Sequence, residues 1–316
     1  MLACPRVSAR KVVGVVGLGI MGSAMAASLV RAGYRVVGYD TLPKARRALR
    51  RAGGEGLASA QEVAERTNII VTSLPSSDAL LQVASELAGA ESPKPTAQSR
   101  KPGARIIVET STLPIAVKEQ ARAQLAGAGV TLLDCPLSGT GAQAKTGDLV
   151  VYASGDRAAC RRAAPVLEGF SRAHYYVGPF GAGSKTKFVA NLLVAIHNVA
   201  AAEAIVLAKK AGLDPAMTLE VVAAGVGSSR VLQLRGPMMV KGKYAPATMK
   251  LGVWQKDMKV IGEFAKGVGC PTPLFEATAS LYVSAIAMGL EAEDTAAVCA
   301  VLERLAGLDR RSGNLV

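Results

Sequence analysis

Val12-Val13-Gly14-Val15-Val16-Gly17-Leu18-Gly19-Ile20-Met21-Gly22 decides the fold class of this 316-residue chain. The β-branched run reads as a buried strand, and the glycines that follow it open a segment of helical spacing, Met21–Ala32. In that setting each glycine has its own use. Gly17 permits a tight turn, Gly19 lets backbone approach a pyrophosphate, and Gly22 allows close packing of helix on strand. The start of the helix, with Leu18, Ile20 and Met21 between the glycines, offers N–H groups and a positive dipole end to phosphates. The competing reading is a glycine-rich turn that binds nothing.

Outward from this motif, β-branched runs continue to alternate with helical patterns. Val12–Val16, Arg35–Tyr39, Asn68–Ser73, Arg105–Glu109, Val130–Leu133 and Leu149–Ala153 read as strands. Between them lie helices over Met21–Ala32, Pro43–Ala52, Ser77–Ala88 and Ile115–Ala128. Such alternation implies a mostly parallel, doubly wound sheet with right-handed crossovers, the Rossmann arrangement. Gly89–Gly103, with three prolines, breaks the rhythm and predicts an exposed, mobile loop. After Val177 the strand pattern stops, and a long helical pattern runs from Ser184 to Gly212. Asp214–Ala224, Lys250–Gly267 and Thr272–Met288 are helical in period as well. The expected architecture is therefore α/β, a Rossmann domain over residues 1–177 and an all-helical domain over 178–316, joined by the long helix.

Asp40 closes the second strand, where an acid accepts hydrogen bonds from both ribose hydroxyls of NAD and repels a 2′-phosphate. NAD is the expected cofactor, with NADP left open by Lys44, Arg46 and Arg47. Asp40 can equally cap the next helix, since Pro43 suits a first turn. Leu74 and Pro75 end the third strand and Thr112 follows the fourth, so all three are expected beside the cofactor. Helix capping by Ser111 or Thr112 is the simpler alternative.

Composition narrows the function classes. Only 4% of residues are aromatic, too few for stacking surfaces on single-stranded nucleic acid. The net charge of +13 is scattered, and no groove-reading element accompanies it, so no nucleic-acid partner is expected. Five dispersed cysteines without a Cys-x-x-Cys pair argue against a disulfide framework and a zinc site; no metal is expected. The first ten residues carry no apolar signal core, and Phe188–Ala202 and Ala277–Leu290 are shorter than a membrane span. A cytoplasmic protein with no membrane contact is the simple reading.

Gly181-Ala182-Gly183-Ser184-Lys185-Thr186-Lys187-Phe188-Val189-Ala190-Asn191 carries the chemistry. Lys187 and Asn191 stand at i and i+4, so they project from one helix face at the start of an apolar segment. Oxidising an alcohol requires loss of the hydroxyl proton as hydride leaves, and the reverse reaction returns it. A lysine can do both if burial or a cationic neighbour lowers its pKa from about 10.4 towards neutral. Lys185 and Lys256 are candidates for that neighbour. Ser138-Gly139-Thr140-Gly141 offers N–H groups and a hydroxyl that could cup a carboxylate. His174 and His197 are the only histidines, and His197 lies about 80° round the helix from Lys187, so a histidine-based mechanism is not expected. Arg230 and Arg235 are equally consistent with an anion partner and a plain surface role.

With Gly17–Gly22, Glu109-Thr110-Ser111-Thr112, Asp134–Asp148, Gly181–Asn191 and Gln255-Lys256-Asp257, the chain resembles the β-hydroxyacid dehydrogenase family. That family includes 3-hydroxyisobutyrate dehydrogenase and tartronate semialdehyde reductase, and the resemblance runs from about Val12 to Leu308. It implies a homodimer or homotetramer acting on a small β-hydroxy acid such as 3-hydroxyisobutyrate, L-threonate or glycerate. It further implies that Lys187 is catalytic, that Asn191 helps hold the substrate, and that Ser138 and Gly139 bind its carboxylate. Thr112 and Lys256 are implied on the cofactor, with Asp257 nearby. The chain departs from the family pattern at Thr140, where glycine is usual, at Asp148, and in a longer Gly89–Arg100 loop. An imine reductase and a non-catalytic nucleotide-binding protein of the same fold are the alternatives.

Overall fold

The structure, a computed structural model, describes residues 11–90 and 105–308; all but the start of the Gly89–Gly103 segment lies outside them. The chain divides into two compact units, residues 1–187 and 188–316.

The first unit begins β1 (Val12–Val16), α1 (Ile20–Arg31), β2 (Arg35–Tyr39), α2 (Pro43–Arg51), β3 (Glu55–Gly56) and α3 (Ala60–Arg66). It continues β4 (Ile69–Thr72), α4 (Ser77–Ala88), β5 (Ile106–Glu109), α5 (Ile115–Ala126), β6 (Thr131–Asp134) and β7 (Leu137–Ser138). Then come α6 (Gly141–Lys145), β8 (Val150–Ser154), α7 (Arg157–Glu168) and β9 (Ala173–Gly178). Strand order begins β3-β2-β1-β4-β5-β6, all parallel. β8 then runs antiparallel to β6 and β7 and pairs in parallel with β9.

Why these runs became strands is visible in their burial. In β5, Ile106 and Val108 join one hydrophobic cluster with α1 and α7, while Ile107 joins the other with α3, α4 and α5. Consecutive side chains alternate faces, and helices cover both, so a continuous apolar run is stable. The order reverses between β1 and β4, which is where this fold places its ligand crevice.

A single helix, α8 (Ala182–Lys210), runs from the end of the first unit into the second. The predicted boundary after residue 177 precedes this helix, whereas the division by packing falls within it. The second unit adds α9 (Pro215–Ala224), α10 (Arg230–Lys241), α11 (Leu251–Gly267), α12 (Pro273–Ala287), a 3-10 turn at Thr295–Ala297 and α13 (Val298–Leu305). Its described residues form no strand beyond one isolated bridge, Lys250 with Asp294. α8 is long and apolar enough to cross a membrane by length and composition, which the shorter stretches read from sequence did not suggest. Two of its polar side chains, Asn198 and Lys209, have partners inside the protein. Asn198 is fully buried and donates to the Tyr282 hydroxyl (3.0 Å) and to Thr295 O (2.9 Å). Lys209 forms a buried ion pair with Glu303.

Residue periodicity alone does not mark the short elements β3, α3, β7 and α6, nor α7, α10 and α13. Both α7 and α10 carry an internal proline, at Pro165 and Pro237, which obscures the helical signal. Arg235 lies at 8% exposure on α10 and donates to Asp294 (3.1 Å), an internal pair rather than a surface role. His174 sits inside β9 and is half-buried, as is His197 on α8.

Candidate active site at the carboxyl edge of the sheet

The glycine loop has the shape that a dinucleotide requires. Gly17 has φ +88°, and a Cβ there would lie 2.2 Å from Ser73 O. A Cβ on Gly22 would lie 1.8 Å from Gly17 O, so only glycine allows α1 to start this close to the loop. A Cβ on Gly19 would meet nothing within 4 Å. The loop is thus crowded where it turns and open where a pyrophosphate would approach. Gly19 is also the N-cap of α1 and supplies no side-chain cap, leaving the first-turn N–H groups to a ligand. Ile20 is 73% exposed at this opening, while Met21 is half-buried against the core. Leu18 is different: its side chain is buried and its N–H is already used.

Asp40 takes that N–H. One carboxylate oxygen accepts from Leu18 N (2.7 Å) and the other from Leu42 N (2.8 Å). The carboxylate therefore ties β2 to the glycine loop, and the remaining lone pairs of its two oxygens stay available to ribose hydroxyls. It does not cap α2, whose N-cap is Leu42 without a side-chain bond. Arg46 curls back onto Asp40 O and over the Tyr39 ring.

Leu74 and Pro75 follow β4, the first buried and the second exposed, and Leu74 N donates to Ser111 Oγ (2.8 Å). Ser111 thus ties two strand ends together instead of capping α5, whose N-cap is Pro114. Thr112 is half-buried beside it.

Ser138 ends β7, and Gly139 adopts φ +137°. A Cβ on Gly141 would lie 2.5 Å from Ile20 Cγ2, so this loop rests directly on the glycine loop. The Thr140 hydroxyl has a partner within its own loop. It caps α6 in a capping box with Gln143, and Gln143 in turn donates to Asp148 (3.0 Å), which also holds Arg172. The two departures from the family pattern, Thr140 and Asp148, belong to one hydrogen-bonded group.

Lys187 lies in the second turn of α8, half-buried, with Lys185 exposed. Within the second unit, Asn191 is 4% exposed and its Nδ2 donates to Asp257 Oδ2 (3.0 Å). Lys256 Nζ lies 3.5 Å from Asp257. Asn191 is accordingly held by a carboxylate, a partnership that sequence spacing did not indicate.

Comparison with known proteins adds to this geometry. A family model described as the NAD binding domain of 6-phosphogluconate dehydrogenase matches residues 12–178. A second, described as NAD-binding of NADP-dependent 3-hydroxyisobutyrate dehydrogenase, matches residues 181–302. An L-threonate dehydrogenase of Cupriavidus necator is 32% identical, covering 90% of this chain and 94% of its own. One from Escherichia coli is 35% identical, covering 90% and 93%. The chain belongs to the β-hydroxyacid dehydrogenase family. A crystal structure of a 3-hydroxyisobutyrate dehydrogenase from Salmonella typhimurium superposes with TM-score 0.79 at 31% identity, covering 92% of this chain and 99% of that one. An imine reductase from Pseudomonas sp., at 19% identity over 93% and 100% of the chains and TM-score 0.57, shares the fold alone.

Membership makes the chain an NAD(P)-dependent oxidoreductase. The residues most easily missed from sequence are the buried charged ones, Glu109, Lys118 and Asp134, all at 0% exposure. A signal existed: two apolar strands end on an acid, and Lys118 shares the buried face of α5 with Ala121 and Leu125.

Proposed function

We propose that this chain oxidises a small β-hydroxy acid with NAD, or reduces the matching carbonyl acid, and that Lys187 is the proton-transfer group. Relatives named L-threonate dehydrogenase and 3-hydroxyisobutyrate dehydrogenase support the substrate class. The observation that carries the assignment is Lys187 itself. It is half-buried near the start of α8, and α8 begins against the carboxyl edge of the nucleotide-binding sheet.

The cofactor supplies the hydride acceptor, or the donor in reverse. The Lys187 amine takes the hydroxyl proton in oxidation, and the ammonium returns it to the carbonyl oxygen in reduction. Ser138 and the Gly139 backbone hold the substrate carboxylate, and Asn191, fixed by Asp257, holds the substrate one turn along the same helix. Gly17–Gly22, Asp40, Leu74, Pro75, Thr112 and Lys256 serve the cofactor, with Asp40 favouring NAD. The chain is read as a cytoplasmic homodimer or homotetramer without nucleic-acid or membrane partners.

A panel of L-threonate, 3-hydroxyisobutyrate and glycerate assayed with NAD and NADP tests the reading. Lys187→Ala should lose turnover by at least about a hundredfold while binding NAD nearly as before. Full turnover in that variant sinks the assignment. Reduction of a cyclic imine with no activity on any hydroxy acid would favour the imine-reductase alternative.

A further inference from the structure

One row of side chains crosses the carboxyl edge of the sheet. Thr72 of β4, Glu109 of β5, Asp134 of β6 and Ser154 of β8 are register partners in turn, so they share a face. Each is completely buried, an unusual run of polar groups for a sheet interior. Their partners are all internal. Thr72 Oγ1 bonds Glu109, and Ser111 N donates to Glu109 Oε1 (2.7 Å). Lys118 Nζ reaches in from α5 to Asp134 Oδ1 (2.8 Å) and Ser111 O (2.7 Å), with Glu109 at 3.9 Å. Two carboxylates thus share one ammonium, and a second positive group is wanted.

α8 provides it. A helix N-terminus leaves its first N–H groups without intrahelical partners and carries a partial positive charge. Here Ser184 N donates to Asp134 Oδ2 (2.7 Å), Ser184 Oγ donates to Asp134 Oδ1 (2.8 Å), and Gly183 N donates to Ser154 Oγ (2.9 Å). Ser154 Oγ in turn donates to Asp134 O (2.8 Å). Gly183 brings the helix onto the strands: a Cβ there would lie 2.5 Å from Tyr152 O and 2.6 Å from Asp134 O. Lys187 follows Ser184 by three residues, so it projects from the adjoining part of the same helix.

We propose that Asp134 is a positioning residue that sets the height and rotation of Lys187, with Ser184 and Ser154 as its contacts to α8 and Lys118 as its counter-charge. This rests on Lys187 being the proton-transfer group. Three hydrogen bonds and a close backbone packing hold the helix start to Asp134 and its register partner, and a lysine near that start inherits their precision. Misplacement by about 1 Å can lower turnover by about a hundredfold, so a small shift of α8 is enough to matter.

The experiment compares Asp134→Asn, Ser184→Ala and Lys187→Ala in the full chain. Turnover, NAD dissociation constant, melting temperature and the solvent deuterium isotope effect on kcat are measured with the best hydroxy acid. Asp134→Asn should lower kcat by about tenfold or more, raise the solvent isotope effect, and leave NAD affinity within about twofold. Ser184→Ala keeps its backbone N–H, so it should show the same pattern at smaller size, and it stands in if Asp134→Asn does not fold. A loss of kcat in Ser184→Ala with unchanged NAD affinity and a raised isotope effect supports the inference. If Lys187→Ala is inactive while Ser184→Ala and any folded Asp134→Asn turn over normally, the positioning role is refuted and the lysine assignment stands. If turnover falls only in step with NAD affinity or melting temperature, the role is purely structural and the inference fails. Activity in Lys187→Ala overturns the lysine assignment, and with it the role given to Asp134.

Discussion

Removing the Lys118 ammonium should destabilise the first unit far more than a surface lysine would. Its Nζ is fully buried and serves Asp134 and Ser111 O directly, with Glu109 at 3.9 Å. Lys118→Met preserves length and apolar stem but leaves Glu109 and Asp134 as register neighbours without their cation. Breaking a buried pair by deleting one partner costs about 3–5 kcal/mol, because the other charge remains desolvated. For a unit of this size each kcal/mol moves the melting temperature by about 2–4 °C, so a drop of about 6–20 °C is expected. Thermal and urea unfolding followed by far-ultraviolet circular dichroism would measure it. Completing the cycle with Asp134→Asn alone and with both changes isolates the pair, and the coupling should approach the upper end of about 0.5–3 kcal/mol. A single-variant loss below about 1 kcal/mol would refute the reasoning, since it would mean the buried charges are balanced without Lys118.

Asp40→Ser removes the carboxylate proposed to accept from the ribose hydroxyls, and a hydrogen bond to a charged group is worth about 1.5–3 kcal/mol, so NAD affinity should fall by about tenfold to a hundredfold and the margin over NADP should narrow. Titration with both cofactors measures this, and an unchanged NAD-to-NADP affinity ratio would count against it. Burial pushes the Tyr282 hydroxyl up to about 12 from an ordinary value of 10.0, despite the hydrogen bond from Asn198. Between pH 10 and 12 the unfolded state gives up this proton first, so stability falls by about 2–3 kcal/mol as pH rises across that window. Tyr282→Phe should lose that much less over the same range in urea unfolding, and parallel curves for the two proteins would reject the idea. Burial likewise pushes Cys160 up to about 11 and Cys135 well above the usual thiol range. With Cys4 replaced by Ser, native protein at pH 8 should therefore show one fast thiol, Cys270, which is exposed. Equally fast labelling of Cys135 or Cys160 would contradict their burial.

Much of the fold was legible because its signals are local. β1 with the glycine loop, the alternation through β6 and the long helix follow from residue periodicity and from the steric demands on Gly17 and Gly22. Short elements escaped because two-residue strands such as β3 and β7 carry no period. α7 and α10 escaped because each holds a proline that the surrounding packing tolerates. At the candidate site, Lys187 and Asn191 stood out by their spacing. Their fixings did not: Asp257 lies far along the chain from Asn191, and Asp134 far from Ser184.

The amino-acid sequence by itself determined a nucleotide-binding sheet, the helix that carries Lys187 and the family to which the chain belongs. Each of these depends on neighbours a few residues apart, or on motifs in fixed order. Only the tertiary structure decided what the buried charges do. Glu109, Lys118 and Asp134 read as ordinary polar residues until strand register aligns the two acids and α5 and α8 bring an ammonium and a helix N-terminus to them. Electrostatic compensation in a dry interior depends on distances of a few ångströms between remote segments, and those distances exist only after the chain has folded.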